Sequence, residues 1–240
     1  MSKSLKADVL QTQQIAEDDM ALINAQAKTP LAPEQIYTFA VRLCDNQVDR
    51  DFERFPRKSL ERLAKLFVGK SGIFDHCWTA LGQTARLYKV EVVDEPGLTT
   101  KAGDSLSWLK GYAYMVRTPG NLDLISEIEG GIKREVSVGC SVARSICSIC
   151  GEEGGRCGHR KGEVYNGKLC FFSLDEPLDA YEWSFVAVPA QPAAGVVKTK
   201  RYGGQDGSQE PPADTGEKEA LRMAQAMQEQ ETLRYGGIAQ

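Results

Sequence analysis

The sequence predicts an α+β fold in which an antiparallel β-barrel-like core carries flanking helices. Several segments rich in β-branched and aromatic residues follow one another, with only two amphipathic helical segments among them. This order is typical of an antiparallel sheet or a partly closed barrel. The chain has 240 residues, of which 42% are hydrophobic and 26% charged, so it has room and composition for one substantial domain.

The elements follow in a simple order. The strands are predicted over 36–44, 83–94, 105–116, 132–144 and 180–189, where β-forming residues are dense. A helix is predicted to begin at Pro56, because proline is tolerated in a first helical turn and Leu60, Leu63 and Phe67 then share one face. A shorter helix is predicted over 121–129, capped by Asn121 and ended by glycine.

The composition divides the chain into three parts. Residues 1–34 are polar and are predicted to form an N-terminal arm, which ends at a proline-rich segment. Residues 35–198 hold the predicted elements and form the principal domain, with an insertion at 145–172. Residues 199–240 begin with a segment rich in Gly, Pro and Gln, which indicates a linker, and continue into a predicted helical tail.

Charge and hydropathy exclude several classes of protein. The net charge of −4 argues against a general nucleic-acid coat, because phosphate binding needs a basic surface. No apolar run approaches the length of a membrane span, and no apolar core of a secretory signal follows the basic residues near Met1. We therefore expect a cytoplasmic protein with no membrane partner.

Seven cysteines are present, and four of them lie between positions 147 and 170. An odd number in a cytoplasmic chain is a poor disulfide framework, whereas a C-x2-C pair with further Cys and His nearby is typical of a zinc site. The predicted ligands are Cys147, Cys150, Cys157 and His159, with Cys170 as the alternate to His159. A closed set of four ligands leaves no position for water, so the predicted zinc is structural.

A serine and a histidine are candidates for nucleophilic chemistry. Ser137 lies in a predicted strand between two valines, on the same face as Glu135 and Gly139. A serine hydroxyl needs a base to remove its proton, and histidine is the usual base. His76 is the only histidine outside the cysteine cluster, so it is the predicted base for Ser137.

Three segments, in this order, resemble the phage prohead (capsid maturation) serine protease family, which is similar in fold to the herpesvirus assembly proteases. They are Ile-Phe-Asp-His at 73–76, Arg-Glu-Val-Ser-Val-Gly at 134–139 and Tyr-Glu-Trp-Ser-Phe-Val-Ala-Val-Pro at 181–189. The resemblance covers residues 36–198. It implies a β-barrel core, no catalytic cofactor, Ser137 as nucleophile and His76 as general base.

The resemblance leaves the third catalytic residue open. A carboxylate that orients His76 is expected, and Glu182 in the closing strand is the first choice. Asp75, Glu135 and Asp179 are the alternatives. The cysteine cluster departs from the simplest family pattern, since it lies between the serine strand and the closing strand.

The resemblance also implies a biological setting. The protein would be a serine endopeptidase that cleaves phage scaffold and major capsid proteins inside the assembling prohead, in the host cytoplasm. The tetrapeptide Arg-Tyr-Gly-Gly occurs at 201–204 and again at 234–237, which suggests sites of self-processing. The resemblance allows a homodimer.

Two other functions compete with the protease. One is a non-catalytic, zinc-stabilised capsid-assembly or scaffold protein, in which Ser137 and His76 are structural. The other is a zinc-knuckle nucleic-acid binder, favoured by local basic residues at Arg144, Arg156, Arg160, Lys161 and Lys168. The net charge of −4 and the small size of this basic patch argue against nucleic-acid binding as the main role.

Overall fold

A computed structural model describes residues 15–197. Within them lie three α-helices, α1 (Glu17–Asn24), α2 (Arg57–Phe67) and α3 (Leu122–Glu129). The strands are β1 (Ile36–Asp45), β2 (Glu53–Arg54), β3 (Ser71–Phe74), β4 (Ala85–Thr99), β5 (Ser105–Val116), β6 (Val136–Cys147), β7 (Val164–Tyr165), β8 (Lys168–Leu169), β9 (Phe172–Phe185) and β10 (Gly195–Val197). The predicted tail and both Arg-Tyr-Gly-Gly segments lie outside the described residues.

Eight strands form one sheet, in the order β10-β1-β5-β4-β3-β9-β2, with β6 also paired to β9. Most pairs are antiparallel, but β2 and β3 both run parallel to β9. The α+β class is therefore confirmed. The barrel-like closure is not confirmed, because β10 meets the segment before β6 only through the single bridge Glu135–Gly195 within residues 15–197.

The helix after Pro56 covers the sheet as its hydrophobic pattern predicts. Leu60, Leu63 and Phe67 are all fully buried and belong to the same core cluster as Trp183 of β9 and Leu87 of β4. Burial of such side chains stabilises the fold by about 1.5–3 kcal/mol each. Helix α2 and the sheet thus form the two layers of the main core.

Strand β9 is longer than the sequence indicates. It begins at Phe172 instead of near 180, and it ends at Phe185. The segment Asp175-Glu-Pro177 has the composition of a turn, and Glu176 does adopt a left-handed conformation (φ 53°). Pairing with β6 continues through register shifts at Gly139/Cys140 and Ser141/Val142, so β-bulges absorb the irregularity.

The described part of the N-terminal arm packs on the domain. Ile23 of α1 is fully buried, in a small cluster with Ile36, Tyr88 and Tyr114. None of the helices within residues 15–197 is long and apolar enough to cross a membrane.

A close contact in the core gives a stability prediction. A Cβ atom on Gly72 would lie 2.4 Å from the ring of Trp183, which is fully buried. We expect Gly72→Ala to lower the free energy of unfolding by about 1–3 kcal/mol, because an overpacked core must shift. Gly97→Ala is the matched control, since nothing lies within 4 Å of its Cβ position. Urea unfolding of both variants tests this, and equal midpoints would contradict it.

Candidate functional site

Three adjacent strands bring the predicted catalytic residues together. Strand β9 lies between β3 and β6, and it carries Glu182 and Ser184 on one face. On β6, Ser137 is the cross-strand partner of Ser184, and Gly139 is the partner of Glu182. His76 follows the end of β3, which runs parallel to β9. The three strands therefore supply a histidine, a carboxylate and a serine in that spatial order.

Glu182 and His76 form the central polar contact of this site. The Nδ1 atom of His76 lies 2.8 Å from Oε1 of Glu182, at hydrogen-bond distance. Glu182 is only 4% exposed, so its carboxylate needs such partners to offset its loss of water. A carboxylate oxygen without a proton only accepts hydrogen bonds, so this contact favours the tautomer that carries its proton on Nδ1 and leaves Nε2 as an acceptor.

An unusual turn directs His76 toward Glu182. Asp75 and His76 both have left-handed backbone conformations, with φ angles of 50° and 54°. Non-glycine residues rarely adopt this region, and such residues concentrate at functional sites. The turn is held by the N–H of Asp75, which donates to the Phe185 carbonyl (3.0 Å), and by the N–H of Cys77, which donates to the Phe74 carbonyl (2.9 Å).

Gly139 leaves the space through which the Glu182 side chain passes. A Cβ atom at this position would lie 2.2 Å from Oε1 of Glu182, closer than any side chain allows. Glycine two residues after Ser137 therefore has a steric function. It lets the buried carboxylate lie against the backbone of the neighbouring strand while its Oε1 atom contacts His76.

Ser137 and His76 line one cleft of about 560 Å³. No direct hydrogen bond joins the Ser137 and His76 side chains in the described structure. Catalytic hydrogen bonds are often long or absent before substrate binds. The segment that precedes α2 forms another wall, through Asp49, Arg50 and Glu53. Composition and spacing did not single out these residues, because the chain brings them to the cleft only through tertiary contacts.

Two cysteines also reach the cleft without being suited to nucleophilic attack. Burial raises the pKa of the Cys140 thiol to about 11, and the nearby carboxylate of Glu182 adds to the effect. Burial likewise raises the pKa of Cys44 well above its ordinary value. Both thiols are therefore protonated at neutral pH, and a protonated thiol is a poor nucleophile.

The alternative carboxylates are placed differently from Glu182. Asp179 forms an ion pair with Lys70 (3.2 Å) on the surface. Asp75 is exposed in the turn, and Glu135 precedes β6 at the bridge to Gly195. Glu182 is the carboxylate that contacts His76.

A second cluster lies in the insertion between β6 and β9. The ligand atoms of Cys147, Cys150, Cys157 and His159 all lie within 4.8 Å of one another, so this group could hold a metal ion. Cys170, the alternate ligand, is fully buried with its sulfur 3.9 Å from that of Cys147. These are the residues that the cysteine spacing indicates.

The local structure of the cluster favours metal binding. The Nδ1 atom of His159 is buried and has no hydrogen-bond partner among the described residues. Burial opposes ionisation of Cys147, but the backbone N–H groups of Cys150 and Ile149 donate to its sulfur and lower its pKa to about 7. The left-handed Gly151 (φ 74°) closes the turn that aims these groups.

The basic residues of the insertion are largely paired. Arg144 and Arg156 both contact Glu153, at 3.4 and 3.1 Å, and Lys161 pairs with Glu53. Ion pairs within the chain reduce the positive potential available to a phosphate backbone.

Comparisons with protein-family models, with curated proteins and with solved structures each found no match to this chain.

The steric role of Gly139 can be tested directly. We expect Gly139→Ala to displace the Glu182 carboxylate and to lower the reactivity of Ser137 by about 10²-fold or more, the usual range for lost acid–base assistance. Gly97→Ala again serves as control, because its Cβ position is open. The second-order rate of labelling by a fluorophosphonate probe gives the measurement. Equal rates in the two variants would rule out the steric role.

The cysteine cluster predicts a bound metal. We expect purified protein to contain about one metal ion per chain, and Cys150→Ser to reduce that content strongly and to lower the thermal midpoint. Cys77→Ser is the matched control, because Cys77 is also exposed but lies outside the cluster. Elemental analysis by mass spectrometry measures the metal. Wild-type protein without metal after growth in zinc-supplemented medium would contradict the prediction.

Proposed function

We propose that the protein is a serine endopeptidase that processes scaffold and capsid proteins during phage prohead maturation. One observation carries the proposal: His76, hydrogen-bonded to a buried carboxylate, shares a cleft with Ser137. A nucleophile, a base and a third group that orients the base form the recurring arrangement of serine hydrolases. The resemblance of the segments around His76, Ser137 and Glu182 to prohead proteases supplies the substrate class.

The proposed reaction is acyl transfer. Nε2 of His76 removes the proton of the Ser137 hydroxyl as the oxygen attacks the scissile carbonyl carbon. Glu182 holds the ring by Nδ1 and stabilises the imidazolium that forms. The protonated Nε2 then donates its proton to the departing amine, which leaves an acyl-enzyme on Ser137. Water, deprotonated by His76, attacks this ester; the bond from the acyl carbon to the Ser137 oxygen breaks, and that oxygen takes the proton back from Nε2 as the second product leaves.

The outer edge of β6 supports a peptide substrate. The N–H of Val136 points to the edge that faces away from β9, since it donates to the Ala194 carbonyl (3.4 Å). Backbone groups alternate along a strand, so those of Val138 point the same way. From Ser137 to Arg144, no strand of the described region pairs with this edge. An extended peptide added there would place a carbonyl beside Ser137.

The proposed enzyme also has a structural metal site and a core close to a barrel. The cysteine cluster binds a structural Zn²⁺ through Cys147, Cys150, Cys157 and His159, because three sulfur ligands and one nitrogen ligand complete a tetrahedron. The bridge between Glu135 and Gly195 supports a core close to a barrel. The enzyme would act in the host cytoplasm, within the assembling prohead.

Co-expression with the scaffold or major capsid protein of the same phage tests the function. We expect the rate of cleavage of these proteins to fall by about 10³-fold or more in Ser137→Ala and in His76→Ala. Ser137→Ala removes the proposed nucleophile, and His76→Ala removes the proposed general base. Ser141→Ala lies on the same strand and is the control that retains cleavage. Intact mass spectrometry of every chain gives the cut sites.

Two results would overturn the proposal. Identical masses with wild type and Ser137→Ala would favour the non-catalytic, zinc-stabilised assembly protein. Cleavage that persists in Ser137→Ala but is lost in His76→Ala or Ser141→Ala would show that a residue other than Ser137 is the nucleophile. Folding of each variant is checked by circular dichroism and zinc content, so that lost cleavage is not mistaken for lost structure.

A further inference from the structure

Ser184 contacts both the proposed base, His76, and the carboxylate that orients it, Glu182. Its hydroxyl donates to Oε2 of Glu182 at 2.6 Å, and the same oxygen accepts the backbone N–H of His76 at 3.1 Å. Ser184 is fully buried, so water does not compete for either bond. One hydroxyl thus links the carboxylate on β9 to the backbone of the histidine turn.

The Glu182 side chain needs this second contact to stay in place. A glutamate has three rotatable bonds, and a single hydrogen bond to His76 does not define the rotation of its carboxylate group. Ser184 occupies Oε2 and thereby turns Oε1 toward Nδ1 of His76. The bond also gives a second hydrogen-bond partner to a carboxylate that is buried.

The histidine turn needs an equivalent support. Two consecutive left-handed residues, Asp75 and His76, persist only where surrounding contacts over-determine them. The bond from the His76 N–H to Ser184 lies within this turn and points at β9. It therefore fixes the distance between the histidine backbone and the strand that carries Glu182.

We propose that Ser184 is a positioning residue, which holds the Glu182 carboxylate and the His76 turn in the geometry that keeps Nε2 of His76 free for Ser137. The proposal rests on the proposed Ser137–His76–Glu182 chemistry. It extends that chemistry by a fourth residue, which touches neither substrate nor the reacting atoms.

The chain offers a matched control for a buried serine. Ser107 is 1% exposed, and its hydroxyl donates to the carboxylate of Asp94 at 2.7 Å. Ser107→Ala and Ser184→Ala therefore each remove a buried hydroxyl that donates to a carboxylate, the carboxylate being at the surface for Asp94 and buried for Glu182. If Ser184 had only a structural role, Ser184→Ala and Ser107→Ala would have the same effect on His76 and on Ser137.

The test measures histidine tautomers and serine reactivity in the full chain. Histidine is labelled with ¹⁵N, and the ring nitrogens are observed by NMR at a pH where the His76 ring is neutral. The spectrum of His76→Ala assigns the signals, because the chain has only two histidines. A fluorophosphonate probe reports the labelling rate of Ser137. Ser184→Cys, which keeps side-chain bulk and a weak donor, is the second variant if Ser184→Ala does not fold.

We expect His76 to be a single Nδ1-protonated tautomer in wild type and in Ser107→Ala, and a mixture of tautomers in Ser184→Ala. We expect labelling of Ser137 to fall about tenfold or more in Ser184→Ala and to change less than twofold in Ser107→Ala. Ser184→Cys should lie between these limits. An unchanged His76 spectrum in the folded Ser184 variants overturns the positioning role, whatever the labelling rate.

The two readouts separate this proposal from the proposed function. If wild-type Ser137 is not labelled, the hydrolase chemistry fails. The tautomer comparison between Ser184→Ala and Ser107→Ala still decides whether Ser184 positions His76.

Discussion

The buried carboxylate of Glu182 is the constraint on which the site depends. A charge at 4% exposure is tolerated only with close partners, and the ring of His76 and the hydroxyl of Ser184 are those partners. The carboxylate also constrains the neighbouring strand, where Gly139 must lack a side chain for the carboxylate to fit. The contact with His76 likewise depends on the left-handed turn at Asp75 and His76, which brings the ring to the carboxylate.

The pairing of β6 with β9 connects this site to the cysteine cluster. The ladder begins at Val136–Phe185 beside the cleft and ends at Cys147–Phe172, where the insertion starts. The N–H of Phe172 donates to the carbonyl of Phe52 (2.9 Å), in the segment that precedes α2. One two-stranded ladder thus has the proposed catalytic serine at one end and the first metal-ligating candidate at the other.

The segment before α2 joins the same network from the cleft side. The N–H of Arg50 donates to the carbonyl of Ala190 (3.1 Å), which ties this wall of the cleft to the loop after β9. The Asp49 carboxylate accepts the N–H groups of Asp51 and Glu53 and shapes the turn between them. Burial, the largest effect, raises the pKa of Asp49 to about 6, although these two N–H groups lower it.

The local sequence pattern was sufficient to predict several features of this chain. Leucine spacing after Pro56 indicates α2, and the cysteine spacing indicates the four residues whose ligand atoms converge. Both follow from spacing within one short segment of the chain, 57–67 for the helix and 147–159 for the cluster, which a sequence displays directly. The extent of β9 is different: its first half has turn-like composition, and pairing with β6 through two bulges makes it a strand.

The sequence by itself determined the residue types of the site, since only one histidine lies outside the cysteine cluster and Ser137 stands in a recognisable strand. Tertiary structure decided which carboxylate contacts that histidine, because Asp75, Glu135, Asp179 and Glu182 are chemically alike and differ only in where the strands place them. It also decided the contacts of Gly139 and Ser184 with Glu182 and His76. These contacts join different strands, so they form only when β3, β9 and β6 lie side by side.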